Sequence, residues 1–336
     1  MNLLEDYLAH ADLSTAPVML REFRPAGSLL VTPRYEDSRH VIMLLLDSSS
    51  QPRVVGKIVR RPDDRSTLAT EFEVLQKLAS LSADARTAPR PLAFVQHHGH
   101  WMLIETAVNG EILTHRRVRK APARSWEIVD RWLRSLPITN NTSSTRWFND
   151  QIAAPLGVAV STLPATQAER RMFAATKRIL RRLTDVSLPM PLEHGDLSHP
   201  NLLLSRGRLG VVDWETGRVH GVPGADAAVF LAFCAFARDG AHGLEPEAAS
   251  YGRNFLSQDG TGRKLLTGHL ERLEIDPKWL DTILLATWTR YALHVFPRLA
   301  PRGETDPEDR IDLARQLFRD GRPLRLWRMT LEHIVE

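Results

Sequence analysis

Cysteine is nearly absent from this chain of 336 residues: there is one, Cys234. A single thiol excludes an intrachain disulfide and supplies no thiolate set for a metal cluster. Charge of one sign is lacking too. Lysine and arginine total 44 against 40 aspartates and glutamates, a formal net charge of +4. That excess suits anionic ligands but is too small to mark a nucleic-acid binder. The apolar stretch Ala227–Ala237 runs for only 11 residues, whereas a bilayer span needs roughly 20. No membrane span is expected, and the alanines and aromatics around Cys234 should fill a core. Met1–His10 carries Glu5 and Asp6, with no basic segment ahead of an apolar one. It does not read as a secretory signal, so a cytoplasmic location is expected. What remains is ordinary globular usage, 43% hydrophobic and 25% charged, which excludes wholesale disorder and fibrous repeats.

At about 100–200 residues per domain, the length suggests two compact lobes. Short apolar or β-branched runs at Val18–Phe23, Leu29–Thr32, Val41–Leu46 and Val54–Val59 predict strands. Leu68, Phe72, Leu75 and Ala79 then recur at helical spacing behind a candidate cap at Ser66 or Thr67. Two further strands follow, Leu92–Gln96 and Trp101–Glu105, joined by a turn at His97–His100. Beyond them the pattern is mostly helical: Trp126–Leu136 capped by Ser125, the arginine-rich Ala168–Leu183, and Ala225–Ala237. Trp279–Phe296, Pro307–Phe318 and Leu324–Ile334 complete the set, and Pro137–Thr145 reads as an exposed loop. Strands followed by helices predict an α+β fold of two lobes, residues 1–108 and 109–336, hinged near Thr106–Glu111.

Chemistry-bearing residues are densest in His194-Gly195-Asp196-Leu197-Ser198-His199-Pro200-Asn201 and in Val211-Val212-Asp213-Trp214-Glu215. Apolar Leu202–Leu204 and Leu209–Val212 flank a turn, Ser205-Arg206-Gly207-Arg208. A turn centred on Gly207 sets Leu202 opposite Val212 and Asn201 opposite Asp213. Directly opposed residues have Cα atoms about 5 Å apart, so both side-chain oxygens would enter one site. Such oxygens suit a hard cation such as Mg2+.

This pattern resembles the aminoglycoside phosphotransferase and choline kinase family, which has a protein-kinase-like fold. The family's His-Gly-Asp, four residues, Asn, and following Asp are matched by Asp196, Asn201 and Asp213. Gly221-Val222-Pro223-Gly224-Ala225-Asp226-Ala227-Ala228 resembles its Gly-x-Pro-x-x-Asp-x-Ala segment, in which the Asp braces the catalytic loop. The resemblance implies an N-terminal antiparallel sheet with one helix and a larger, mainly helical C-terminal lobe carrying the acceptor site. It implies that Asp196 orients the acceptor hydroxyl and takes its proton, while Asn201 and Asp213 hold Mg2+ on the phosphates of ATP. The value of Asp196 would lie mainly in alignment, since phosphoryl transfer rests on positioning and charge neutralisation.

The same fold calls for a lysine on the third strand and a glutamate on the next helix. Val54-Val55-Gly56-Lys57-Ile58-Val59 supplies Lys57. Between Glu71 and Glu73, the helical period puts Glu71 beside the apolar face and Glu73 around the back. Trp101–Gly110 resembles the family's hinge, which would aim backbone groups of Glu105 and Ala107 at the adenine edge. The phosphate-covering loop is expected near Arg24–Ser28, which holds a lone glycine where Gly-x-Gly-x-x-Gly would be usual.

The sequence thus predicts an ATP- and Mg2+-dependent kinase acting on a hydroxyl of a sugar, amino alcohol or aminoglycoside-like molecule. The alternative is a weakly active pseudokinase or nucleotide-binding scaffold. A metal-dependent hydrolase built on His194, Asp196, His199, Asp213 and His220 would leave Lys57 and Glu71 without a use. A protein kinase fits poorly: Gly195 stands where an arginine would be, Trp214-Glu215 follow Asp213, and no long activation segment precedes Ala225.

Overall fold

A computed structural model of the chain describes residues 2–31, 40–60, 65–81, 87–139, 144–296 and 307–336. Contacts divide the chain into two compact units: Met1–Ile112 with Pro200–Gly217, and Leu113–His199 with Arg218–Glu336. A single cut after residue 108 misses the return of Pro200–Gly217, whose hairpin pairs with Glu111–Ile112.

In chain order the elements begin with α1 (Leu3–His10), α2 (Val18–Glu22), β1 (Gly27–Val31), β2 (His40–Leu46) and β3 (Pro52–Val59). Next come α3 (Ser66–Leu81), β4 (Pro91–His97), β5 (His100–Thr106) and β6 (Glu111–Ile112). The middle supplies α4 (His115–Lys120), α5 (Pro122–Leu133), β7 (Ile138–Thr139), α6 (Ser144–Phe148), α7 (Ala154–Thr162), α8 (Gln167–Leu180) and β8 (Met190–Pro191). The hairpin β9 (Leu202–Ser205) and β10 (Arg208–Val211) precedes α9 (Ala225–Asp239), α10 (Leu244–Tyr251) and α11 (Thr261–Arg272). The chain closes with α12 (Leu280–Leu293), α13 (Pro307–Arg319) and α14 (Arg322–Val335).

In the first unit, an antiparallel sheet of order β1-β2-β3-β5-β4 buries both faces of its centre. One face carries Met43, Leu45, Val54, Ile58, Met102 and Ile104, covered by Leu4 of α1 and Leu20 of α2. Gly56 permits this cover, since a Cβ there would stand 2.6 Å from a Leu4 methyl. The opposite face packs Val59 and Leu103 against Leu68 and Phe72 of α3, with Phe94 stacked on Trp101 at 4.9 Å.

Two expectations change here. Val18–Phe23 is not a strand: Val18–Glu22 is helical, entered from Pro17, and turns Leu20 into the core. Met19, Leu20, Arg21 and Glu22 are good helix formers, and tertiary burial of one leucine needs no alternation. Helix α1 was not anticipated, although Asn2 and Glu5 form a capping box, a signal present in the sequence. Because β1 and β2 are the first two strands, their connection is residues 32–39, not Arg24–Ser28, and it lies outside the described residues.

Among the described residues, the second unit is mostly helical, with a short β7–β8 pair and an isolated bridge between Glu193 and Arg218. Thr166 and Glu169 form a capping box at the start of α8, whose Arg170, Arg171 and Arg178 are exposed. Ser125 does not cap a helix, because α5 starts earlier with Pro122 in its first turn and Ser125 Oγ bonds the Ala121 carbonyl. Helix α9 is buried from Ala225 to Ala237, Cys234 included, as its composition predicts. Among the described residues, no helix is long and apolar enough to cross a membrane.

Candidate active site

Within the first unit, strand β3 sits between β2 and β5, which holds Lys57 in a fixed pleat. Lys57 is 3% exposed and its Nζ lies 2.6 Å from Glu71 Oε1 on α3. The helical period chose correctly between the two acids: Glu71 is fully buried and Glu73 is exposed. The same Nζ reaches Asp213 Oδ1 at 3.2 Å. Glu71 Oε1 also accepts the Trp214 backbone N–H at 2.8 Å, and the buried Trp214 ring donates to the Val211 carbonyl. Glu71 therefore holds both the lysine and the strand end that carries Asp213. Burial would lower the Lys57 pKa, yet Glu71 and Asp213 keep it well above the ordinary lysine range. Burial lifts Glu71, while Lys57 and the Trp214 N–H pull it back.

The β9–β10 register differs by one residue from the expected one. Leu202 faces Val211 and Ser205 faces Arg208. Arg206 (φ +48°) and Gly207 (φ +77°) are both left-handed, the backbone of a two-residue turn that matches strand twist. A turn centred on Gly207 alone would have needed three residues. Asn201 accordingly stands opposite Val212, whose N–H donates to its carbonyl at 3.0 Å. Asp213 comes one residue later and turns out of the strand with φ +68°. That left-handed backbone is uncommon for a non-glycine residue and clusters at functional sites.

Asp213 is 39% exposed at its side chain. One oxygen of it, one of Glu215 and a His40 nitrogen all lie within 4.8 Å of one another. Two carboxylates this close together offer the hard oxygen donors that a cation such as Mg2+ takes. Glu215 and His40 were not singled out from sequence. The Asp-Trp-Glu spacing is a signal for the first, whereas only pairing of β2 with β3 brings in the second.

Glu105 takes a place not foreseen. It lies opposite Val55 and therefore on the sheet face that carries Lys57, 2% exposed. Its Oε2 has no partner among the described residues. Burial pushes this carboxyl up to about 8 against the pull of Lys57, with Glu71 and Asp213 adding to the rise. Its main chain is inside the ladder between Val55 and Pro91. The Ala107 N–H donates to the Arg53 carbonyl at 2.9 Å.

The second unit holds the His194–Asp196 segment. Asp226, in the first turn of α9, accepts the His194 and Gly195 N–H groups at 2.7 and 2.9 Å. Gly195 has φ +85°, which favours glycine. Burial and Glu193 push Asp226 up to about 7, opposed by those two N–H groups. His194 is fully buried and its Nδ1 accepts the Asp196 N–H at 3.2 Å, a structural use of the ring. Glu193 takes Arg290 at 2.7 Å and the Val222 N–H at 2.6 Å. Asp196 Oδ1 accepts from Ser198 Oγ at 3.0 Å and from the Tyr291 hydroxyl at 2.5 Å. Tyr291 lies 95 residues away along the chain, and no motif pointed to it.

An antiparallel five-stranded sheet with a buried lysine–glutamate pair, followed by a mostly helical remainder, defines the kinase-like class of folds. Residues 41–265 match the Phosphotransferase enzyme family, and the chain belongs to that family; it is a small-molecule phosphotransferase. No curated protein matches the sequence. Solved structures agree at the level of fold. ADP-bound aminoglycoside phosphotransferase APH(2'')-Ib superposes with TM-score 0.53 at 14% identity, over 94% of this chain and 99% of that one. A thermostable mutant of aminoglycoside phosphotransferase APH(4)-Ia, with ADP and hygromycin B, gives 0.56 at 12% identity, over 94% and 97%. An ethanolamine kinase of Plasmodium vivax gives 0.52 at 13% identity, over 90% and 84%.

Proposed function

We propose that the protein transfers the γ-phosphate of ATP, with Mg2+, to a hydroxyl of a small molecule. The observation that carries this reading is the chain Glu71–Lys57–Asp213, linked at 2.6 and 3.2 Å, with the glutamate and lysine buried. A lysine held between a helix carboxylate and a strand-end aspartate is oriented to meet α- and β-phosphates. Asn201 and Asp213 would hold Mg2+, joined by Glu215 as a further oxygen donor. Bound there, the cation neutralises charge on the triphosphate. Asp196 would orient the acceptor hydroxyl and receive its proton, its carboxylate steadied by Ser198 and Tyr291. Backbone groups of Glu105 and Ala107 would meet the adenine edge. A cytoplasmic setting suits ATP and the buried thiol of Cys234, and nothing in the charge balance calls for a nucleic-acid partner.

Acceptors such as sugars, amino alcohols and aminoglycosides are to be separated by ADP release with Mg2+, measured on the wild type and on Asp196→Asn. One acceptor should outpace water by at least an order of magnitude, and Asp196→Asn should abolish that gain. Equal rates for the two proteins would remove Asp196 from the mechanism. A second reading, a nucleotide-binding scaffold, draws support from residues 32–39, the β1–β2 connection, which contain no glycine to cover phosphates. Nucleotide binding without transfer to any acceptor would favour it.

A further inference from the structure

Helix α12 carries two consecutive side chains that reach the His194–Asp196 segment from its two ends. Arg290 Nη1 lies 2.8 and 2.7 Å from the two Glu193 oxygens, immediately before His194. Tyr291 donates its hydroxyl to Asp196 Oδ1, immediately after Gly195. The helix is a firm support: Leu280 and Thr282 through Thr289 are buried, and Trp288 packs edge-on against the Tyr291 ring at 6.1 Å. Burial and the neighbouring Asp196 hold the phenol well above its ordinary pKa, so it remains a neutral donor. Ser198 donates to the same oxygen, but it sits two residues along the same loop and moves with it.

We propose that Tyr291 is a positioning residue for phosphoryl transfer: its hydroxyl ties the Asp196 carboxylate to α12, while Arg290 ties down the other end of the loop through Glu193. This rests on the reading of Asp196 as the residue that orients the acceptor. A donor to a carboxylate that acts only in the aligned complex should affect turnover far more than nucleotide binding.

The test compares the wild type, Tyr291→Phe, Asp196→Asn and the double variant, each checked for a cooperative melt. ADP release is followed with the fastest acceptor of the panel, or with water where none is faster. Tyr291→Phe is expected to lower kcat by about 10- to 100-fold, the worth of one hydrogen bond to a charged group. The KM for ATP should stay within about twofold, and the double variant should be no slower than Asp196→Asn. Unchanged kcat in Tyr291→Phe beside an inactive Asp196→Asn overturns the role of Tyr291 and spares that of Asp196. Full activity in Asp196→Asn removes the reading of Asp196 and the proposal together. Should Tyr291→Phe lose its cooperative melt, 3-fluorotyrosine at position 291 keeps the shape and alters the donor. A changed kcat with an unchanged melt then supports the proposal, and an unchanged kcat overturns it.

Discussion

Replacing Glu105 with glutamine keeps the shape of a buried side chain and removes its ability to ionise. In the folded protein this carboxyl is pushed from an ordinary 4.5 up to about 8, chiefly by burial. Between those two values the native state holds a proton that the unfolded chain has released, so stability falls as pH rises. At about 1.4 kcal/mol per pH unit, the wild type should lose roughly 2–3 kcal/mol between pH 5 and pH 7 through this group alone. By pH 8 the loss from pH 5 reaches about 3–4 kcal/mol, and it levels off once both states are ionised. The cause is local: Lys57 already serves Glu71 and Asp213, and Glu105 Oε2 has no partner among the described residues. Urea denaturation of both proteins at half-unit steps from pH 5 to 8, with hydrogen exchange of the β5 amides, reads the difference. Glu105→Gln should start level with the wild type at pH 5 and lead it by roughly 2–3 kcal/mol at pH 7. Parallel pH curves would refute the argument, because the buried acid would then be ionised throughout.

Lys57→Met leaves Glu71 and Asp213 without their shared cation. It should cut ATP turnover at least about 100-fold and, as one partner of a buried pair, destabilise by roughly 3–5 kcal/mol; turnover and urea midpoints check both. Gly221→Ala would set a Cβ 2.2 Å from Glu193 Cβ and 3.0 Å from the Pro191 carbonyl. Neither neighbour is a flexible tip, so the melt should drop by an amount equivalent to about 2–4 kcal/mol. Gly157→Ala in α7 is its control: nothing lies within 4 Å, and stability should rise by roughly 0.5–1 kcal/mol. Equal effects of the two glycine substitutions would show that the Glu193 contact does not constrain the loop.

Much of the first unit was legible because its cues are local. Short apolar or β-branched runs bounded by turn residues marked β2, β3, β4 and β5, and the helical period singled out Glu71. Where the reading slipped, the cause was equally definite. Arg206 adopts a left-handed backbone that its residue type does not advertise, which shortened the hairpin turn and moved Asn201 by one partner. Val18–Glu22 has β-compatible residues and still coils, because one buried leucine satisfies either state. The burial of Glu105 depends on which face of β5 the pairing with β3 selects, which its place at a strand end does not tell.

The order of residues alone established the class of protein, through the family resemblance carried by Asp196, Asn201 and Asp213 with Lys57 and Glu71 upstream. Tertiary structure decided the rest. That Trp214 hangs on Glu71, that Glu105 stands beside Lys57, and that Tyr291 grips Asp196 are contacts 143, 48 and 95 residues apart in sequence. Such contacts come from packing, which brings distant side chains together without imposing any periodicity or motif on the chain between them.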